Sequence, residues 1–349
     1  MSWVVTGGAG FIGTNLVKHL VETDHTPVIL DDLSREGVDI NAEFLYRTYG
    51  VKTQRVDVSD REALWAALDA VGEIEHISHL AGQVSFLKSI EDPVRDFEVN
   101  ALGTLNVLEY VRTRSPETTV VGMSSNKIYG DLADVRIVET ETRYVAPDFP
   151  RGFSESLQVD CHGPYGCSKG LADQYLADYA RSYGLKTASF RQSSVYGPHQ
   201  HPRSDQGWVA HLVSEARMGR TINLSGAGKQ VRDLLHASDL ARLLTRIPDY
   251  LMTATHRQFN VGGGVQNALS LLEVFRWLEE STGETVDFTT GPFRQSDQMV
   301  FVADNTRISN LTGWKPRVSA FDGLEEMLRD GRGQSRVHFA RAPRPNGIE

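Results

Sequence analysis

The chain has 349 residues, 40% of them hydrophobic and 23% charged. That is long enough for one large or two ordinary domains around a buried core, and it excludes disulfide miniproteins and disordered or collagen-like chains. Lys plus Arg number 36 against 45 Asp plus Glu, a net charge of −9, so nucleic acid and membrane are not expected as partners and an anionic ligand needs a local basic pocket.

The opening residues, MSWVVTGGAGFIGTNL, lack the basic and apolar stretches of a secretory signal, and no apolar run approaches the ~20 residues of a membrane span. A cytoplasmic location is expected. Cys161 and Cys167 lie six apart, wider than the closer spacing usual for zinc or redox pairs, so both are read as reduced thiols and no metal is expected.

In chain order, β-rich runs are predicted at Trp3–Val5, Val28–Leu30, Lys52–Val56, Ile74–Leu80, Thr119–Met123, Thr187–Arg191 and Gln258–Val261. Helical spacing of apolar residues falls between them at Asn15–Val21, Arg61–Ala70, Ala101–Arg112 and Ser168–Tyr183. This alternation predicts an α/β fold, a Rossmann-type doubly wound parallel sheet. Beyond about residue 192 it breaks, with turn punctuation at Gly197-Pro198, His201-Pro202 and Gly291-Pro292. The expected division is therefore 1–191 with roughly 230–262 as the Rossmann domain, 192–229 with 263–330 as a smaller ligand-binding region, and 331–349 as a tail.

Thr6-Gly7-Gly8-Ala9-Gly10-Phe11-Ile12-Gly13 follows the first strand and opens the first helix. Gly7, Gly10 and Gly13 suit a tight turn, close approach of backbone to a pyrophosphate, and helix–strand packing, while the helix N-terminus offers N–H groups to the anion. Asp31 ends the next strand 18 residues after Gly13, near the ~20 expected for a carboxylate that accepts adenosine ribose hydroxyls, so NAD is expected as cofactor in preference to NADP. Arg35 nearby either softens that preference or is a solvated surface side chain.

Tyr165 and Lys169 are four residues apart in Pro164-Tyr165-Gly166-Cys167-Ser168-Lys169, on one face of the helix predicted there. A phenol with pKa ~10 is a poor base at neutral pH, but a nearby ammonium and a cationic nicotinamide favour the phenolate. Ser125, closing a strand about 40 residues earlier, could share a hydrogen bond with the reacting hydroxyl.

The glycine loop, the Ser125/Tyr165/Lys169 set, Asn100-Ala101-Leu102-Gly103-Thr104 and Arg232-Asp233-Leu234-Leu235-His236 together resemble the extended short-chain dehydrogenase/reductase family acting on nucleotide sugars, over residues 1 to about 330. Within it, His79–Val84, Ser125–Asp131, Pro164–Gly170, Asp205–Val209, Gly228–Asp233 and Ser296–Gln298 are similar to the CDP-tyvelose (CDP-paratose) 2-epimerase branch. The resemblance implies cofactor contacts from Phe11, Ile12, Asp32, Asp57, Val58, Leu80, Ala81, Gly82 and Asn100, as well as from Tyr165 and Lys169. It implies that Arg232 and Arg294 clamp a substrate diphosphate, that Asp297 in Arg294-Gln295-Ser296-Asp297 orients Arg294, and that Gln83, Asn126, His162 and Gln206 line the sugar. His162 could equally be a packing residue, and Trp208 either core or sugar-facing.

Related 4,6-dehydratases carry an Asp-Glu pair directly after the serine or threonine, where this chain has Asn126-Lys127, which disfavours dehydration; a Glu in the second place would have suited decarboxylation. The implied activity is an NAD-dependent nucleotide-sugar epimerase, acting at C2 of a CDP-dideoxyhexose by transient oxidation and hydride return to the opposite face, in a homo-oligomer. The alternatives are a 4-epimerase or dehydrogenase on a UDP- or GDP-sugar, and a catalytically silent NAD-binding regulator.

Overall fold

The computed structural model describes residues 2–201, 207–293 and 297–330. Its largest element is a parallel sheet in the order β3-β2-β1-β4-β5-β8-β12, built from β1 (Ser2–Thr6), β2 (Pro27–Asp31), β3 (Thr53–Arg55), β4 (Ile74–His79), β5 (Thr119–Ser125), β8 (Thr187–Gln192) and β12 (Gln258–Val261). All seven predicted strands are present in it. Their central members are buried along almost their whole length, as expected of a parallel sheet covered on both faces.

Helices cover both faces. On one, α1 (Phe11–Glu22) and α2 (Val38–Tyr49) pack with α9 (Ala237–Arg246) and α11 (Thr306–Thr312) through Leu16, Leu45, Leu240 and Ile308. On the other, α3 (Arg61–Val71), α6 (Gly103–Arg114) and α7 (Gly163–Tyr183) do so through Leu64, Val107, Val111 and Leu176. Two short helices, α4 (Phe86–Glu91) and α5 (Pro93–Phe97), lead into a π-helical turn at Glu98–Leu102 that runs on into α6. The switch in strand order between β1 and β4 leaves a crevice at the C-terminal strand ends, the usual ligand position of a doubly wound sheet.

After β5 the chain makes a small hairpin, β6 (Val138–Glu139) with β7 (Tyr144–Val145). The second region packs α8 (Trp208–Arg217), α10 (Leu271–Thr282) and α12 (Ala320–Asp330) on short strands. In it β10 (Ile222–Ser225) pairs with β14 (Phe288–Gly291), and β11 (Val231–His236) pairs with β9 (Ser194–Tyr196), β13 (Ala268–Ser270) and β15 (Val300–Phe301). Residues 231–236 form β11, the central strand of the smaller sheet, with Leu235 packed on the core of the large one, to which α9 and β12 return. This fully buried six-residue strand is half polar, with Arg232, Asp233 and His236, so local apolar pattern cannot assign it to either sheet. The predicted tail, 331–349, lies outside the described residues.

Candidate active site

The glycine loop is built around close backbone approaches. A Cβ on Gly13 would stand 2.3 Å from the Gly7 carbonyl oxygen, and one on Gly7, at φ +66°, would stand 2.6 Å from the Ala81 nitrogen. Larger residues at either place would push the loop off the segment that follows β4 or α1 off the loop. Gly10 caps α1 without a side-chain cap, so the first N–H groups of α1 get no capping side chain. Asp31 accepts from the Ala9 N–H at 3.0 Å and from the Leu33 N–H at 2.9 Å. Burial raises its pKa while these bonds oppose the rise, and the carboxylate ties the end of β2 to the loop.

Further along, Asp57 accepts from Arg95 at 2.7 Å, and the same guanidinium lies 3.6 Å from Asp32. Partial burial pushes the Asp57 carboxyl up, but hydrogen bonds from Ser59 and Arg95 hold it below its ordinary value. Arg95 carries no motif signal: it sits in a five-residue helix, and only the fold brings it to two carboxylates distant in sequence. Val58 is buried against Gly103, where a Cβ would meet it at 2.7 Å. Leu80 packs on the core and the Ala81 N–H donates to Thr6.

At the other end of this trough, Gly82 faces Lys169 Nζ and Asn100 Oδ1, which an added Cβ would meet at 2.8 and 3.0 Å. Asn100 Oδ1 is buried with no hydrogen-bond partner, while its amide donates to Gln83 O, Asp96 and Ser168. The π turn places Asn100 there, a feature that recurs at functional sites. A glycine cradle, free helix N–H groups, a buried carboxylate at the end of β2, and an orphaned acceptor beside an ammonium fit a dinucleotide with its phosphates, ribose hydroxyls and nicotinamide end.

Tyr165 and Lys169 are both buried on α7, and Ser125 at the end of β5 hydrogen-bonds the Tyr165 phenol. Burial pushes that phenol up to about 12; the Ser125 bond draws it down, the Asp96 carboxylate raises it, and the Arg35 charge lowers it. Lys169 donates to the Met123 carbonyl at 3.2 Å, and burial lowers its pKa to about 8 despite the charge of Asp96. The expected poised base is therefore not supplied by Lys169 alone. The protein's own charges leave the phenol protonated at neutral pH, and a further positive charge beside it is required.

Asp96, fully buried, is the residue that motif reading missed. It accepts from Gln83 at 2.8 Å, from Asn100 at 3.2 Å and from Ser168, and its charge reaches both Tyr165 and Lys169.

A cleft of about 610 Å³ runs from Phe11, Ile12, Ser125 and Tyr165 to Trp208, Leu224 and Arg232. Asn126 lines it and donates to Gln298 at 2.7 Å, which in turn donates to the Asn126 and Gly130 carbonyls. Arg232 lines it too, held by Asp297 at 2.9 Å; Asp297, expected to orient Arg294, holds Arg232 and bonds Lys127 as well. Trp208 faces the cleft and donates to Ser194 at 3.1 Å. Two expected sugar contacts lie elsewhere. The Gln83 amide is used on Asp96 and Ser85, leaving Val84 and Phe86 on the cleft wall. His162, 39% exposed, pairs with Asp160 at 3.0 Å ahead of α7. Gln206 and Arg294 lie outside the described residues. Both cysteines are free thiols, and no helix among the described residues is long and apolar enough to cross a membrane.

The buried ammonium has a measurable consequence. Lys169 is charged in both states below about pH 8, where burial penalises the native form; above it the native state deprotonates first, and wild-type stability rises with pH until the unfolded lysine also titrates. Lys169→Met in the cofactor-free protein is expected to gain on the order of 3 kcal/mol at pH 7 in urea unfolding. The gain should shrink as the pH climbs from about 8 towards about 10; a variant less stable than wild type at pH 7 would contradict this.

Residues 4–327 match the family model described as GDP-mannose 4,6 dehydratase. The chain is 42% identical over 332 residues to CDP-paratose 2-epimerase of Salmonella typhi, covering 94% of this chain and 98% of that protein. It is 31% identical to UDP-glucose 4-epimerase of Mycolicibacterium smegmatis, covering 96% of this chain and all of the relative. The crystal structure of the Thermus thermophilus UDP-glucose 4-epimerase in complex with NAD superposes with a TM-score of 0.79 at 30% identity, over 96% of this chain and 100% of that one. A parallel sheet with a glycine loop, a Ser/Tyr/Lys set at its crevice and this similarity along the whole domain lead to one conclusion: the chain belongs to the GDP-mannose 4,6 dehydratase family of extended short-chain dehydrogenases/reductases, NAD-dependent enzymes of nucleotide-sugar epimerisation and dehydration.

Proposed function

We propose that this enzyme inverts C2 of a CDP-linked dideoxyhexose. The observation that carries the reading is the near full-length similarity to a CDP-paratose 2-epimerase, supported by Asn126-Lys127 where a dehydrating enzyme needs an acid and a base. NAD, held by the glycine loop, Asp31 and the Gly82–Asn100 end of the trough, supplies a reversible two-electron acceptor and, when oxidised, a positive charge beside the phenol. Tyr165 takes the proton of the 2-hydroxyl and returns it after the planar sugar ketone has turned over. Ser125 shares that hydrogen bond, and Lys169 keeps a positive charge under the phenolate. Arg232 grips the diphosphate. Arg294 and Gln206 belong to the same proposal, as do the division into a cofactor half and a substrate half and a cytoplasmic location. Leu171, Tyr175 and Tyr183 are exposed along α7, an apolar strip that supports packing against a second copy of the chain.

Incubation with CDP-, UDP- and GDP-sugars in deuterium oxide, followed by NMR of the products, tests the reading. The expected product is inverted at C2 of the CDP-sugar and carries no solvent deuterium there, because the hydrogen never exchanges with water. Inversion at C4 of a UDP-sugar would replace the substrate assignment. Stoichiometric deuterium at the inverted carbon would replace the transient oxidation with enolisation.

A further inference from the structure

Lys127 is a cation that the epimerisation chemistry leaves unused. It follows Asn126 in the turn after β5, two residues beyond Ser125. Its Nζ lies 3.1 Å from Asp297 Oδ1, the oxygen that also accepts from Arg232 Nη2 at 2.9 Å. Ser125, Tyr165, Lys127, Arg232 and Asp297 line the same cleft. Although burial works against its ionisation, Asp297 is held below its ordinary pKa by these two cations. Two cations share this carboxylate, so these three side chains sum to one positive charge within a protein whose overall charge is −9. That charge spans from the arginine on β11 to the turn beside the catalytic serine.

The chemistry of a nucleotide sugar makes this position informative. The β-phosphate hangs from C1 through the anomeric oxygen. When C4 reacts, the ring separates the phosphate from the base; when C2 reacts, the phosphate is attached to the neighbouring carbon and must lie near Tyr165. An arginine on β11 suffices for the first arrangement. A second cation next to Ser125 suits the second.

Resting on the 2-epimerase reading, we propose that Lys127 binds the β-phosphate of the nucleotide sugar and so sets C2, rather than C4, against Tyr165. Asp297 is the hinge of this device: it orients both cations without neutralising them, and the substrate's phosphate completes the charge balance.

The test compares CDP with CMP, which lacks the β-phosphate, by calorimetry on the NAD-loaded enzyme and its Lys127→Met and Lys127→Arg variants. Lys127→Met is expected to weaken CDP binding by about 10- to 100-fold, the scale of a charge-assisted hydrogen bond, with CMP binding unchanged and most of the loss recovered in Lys127→Arg. Unchanged CDP binding, or an equal loss for CMP, would overturn the proposal. Register has its own readout: at saturating substrate, turnover at C2 in Lys127→Met should fall by at least about tenfold, because a displaced sugar no longer meets the phenol. Full turnover in that variant would reduce Lys127 to an affinity contact and overturn its role in register. UDP and UMP are titrated in parallel. If wild type prefers UDP, the cytidine assignment fails, and the Lys127 effect is read on the uridine pair, where it stands or falls separately.

Discussion

Replacing Tyr165 by Phe is expected to lower turnover by at least about 10²-fold, the usual contribution of a positioned general base. The ring is buried on α7, so Phe keeps its packing and removes only the oxygen that Ser125 bonds. That oxygen handles a proton in the transition state and touches neither phosphate, so the Kd of CDP should be unchanged while kcat falls. Calorimetry and single-turnover kinetics separate the two. Retention of more than about a tenth of wild-type turnover would mean that another group is the base, and with it the role assigned to Ser125 would fall.

The Tyr165 and Lys169 positions were legible because their spacing and the loop at Gly7–Gly13 are local features. The sheet was legible for a similar reason, since each strand is a short β-rich run between helical stretches. What escaped reading is set by long-range contact. Strand β9 is three residues long and pairs with Leu234–His236 in β11, a register that no local pattern announces. Helix α5 has five residues, too few to show a period, yet it delivers Arg95 to Asp57 and Asp96 to the catalytic pair. Gln83 shows the opposite failure. It stands in a motif stretch expected at the sugar, but its amide joins Asn100 and Ser168 in donating to the buried Asp96, and a buried carboxylate is costly unless its oxygens find donors. On sequence alone, Asp297 is assigned to Arg294, its near neighbour in the chain; that it holds Arg232 and Lys127 together became visible only once β5 and β11 were in place.

The second large effect is on stability, and it originates beneath the catalytic helix. Asp173 on α7 and Arg191 on β8 form an ion pair at 2.7 Å with side chains 0% and 4% exposed. The carboxylate also accepts from Gln258 at 2.6 Å, and the guanidinium donates to Tyr129 at 2.9 Å, whose hydroxyl donates to Asn260. The network therefore joins α7, β8, β12 and the turn that follows Ser125. Asp173→Ala leaves a guanidinium buried without its counter-charge, and unfolding in urea is expected to show a loss of about 3–5 kcal/mol. Arg191→Met should cost a similar amount by stranding the carboxylate. The double variant Asp173→Leu/Arg191→Met buries apolar groups in place of both charges, so it should be more stable than either single variant, because desolvation of a paired charge offsets much of its attraction. Additive losses in the double variant would show that the two charges act independently. A single-variant loss below about 1 kcal/mol would place the pair in effective contact with water. Since Gln192, next to Arg191, lines the cleft and Tyr129 closes the turn after Ser125, the single variants should also inactivate at lower temperature than wild type while keeping their turnover in the cold, the signature of a site held by its foundation rather than altered in its chemistry.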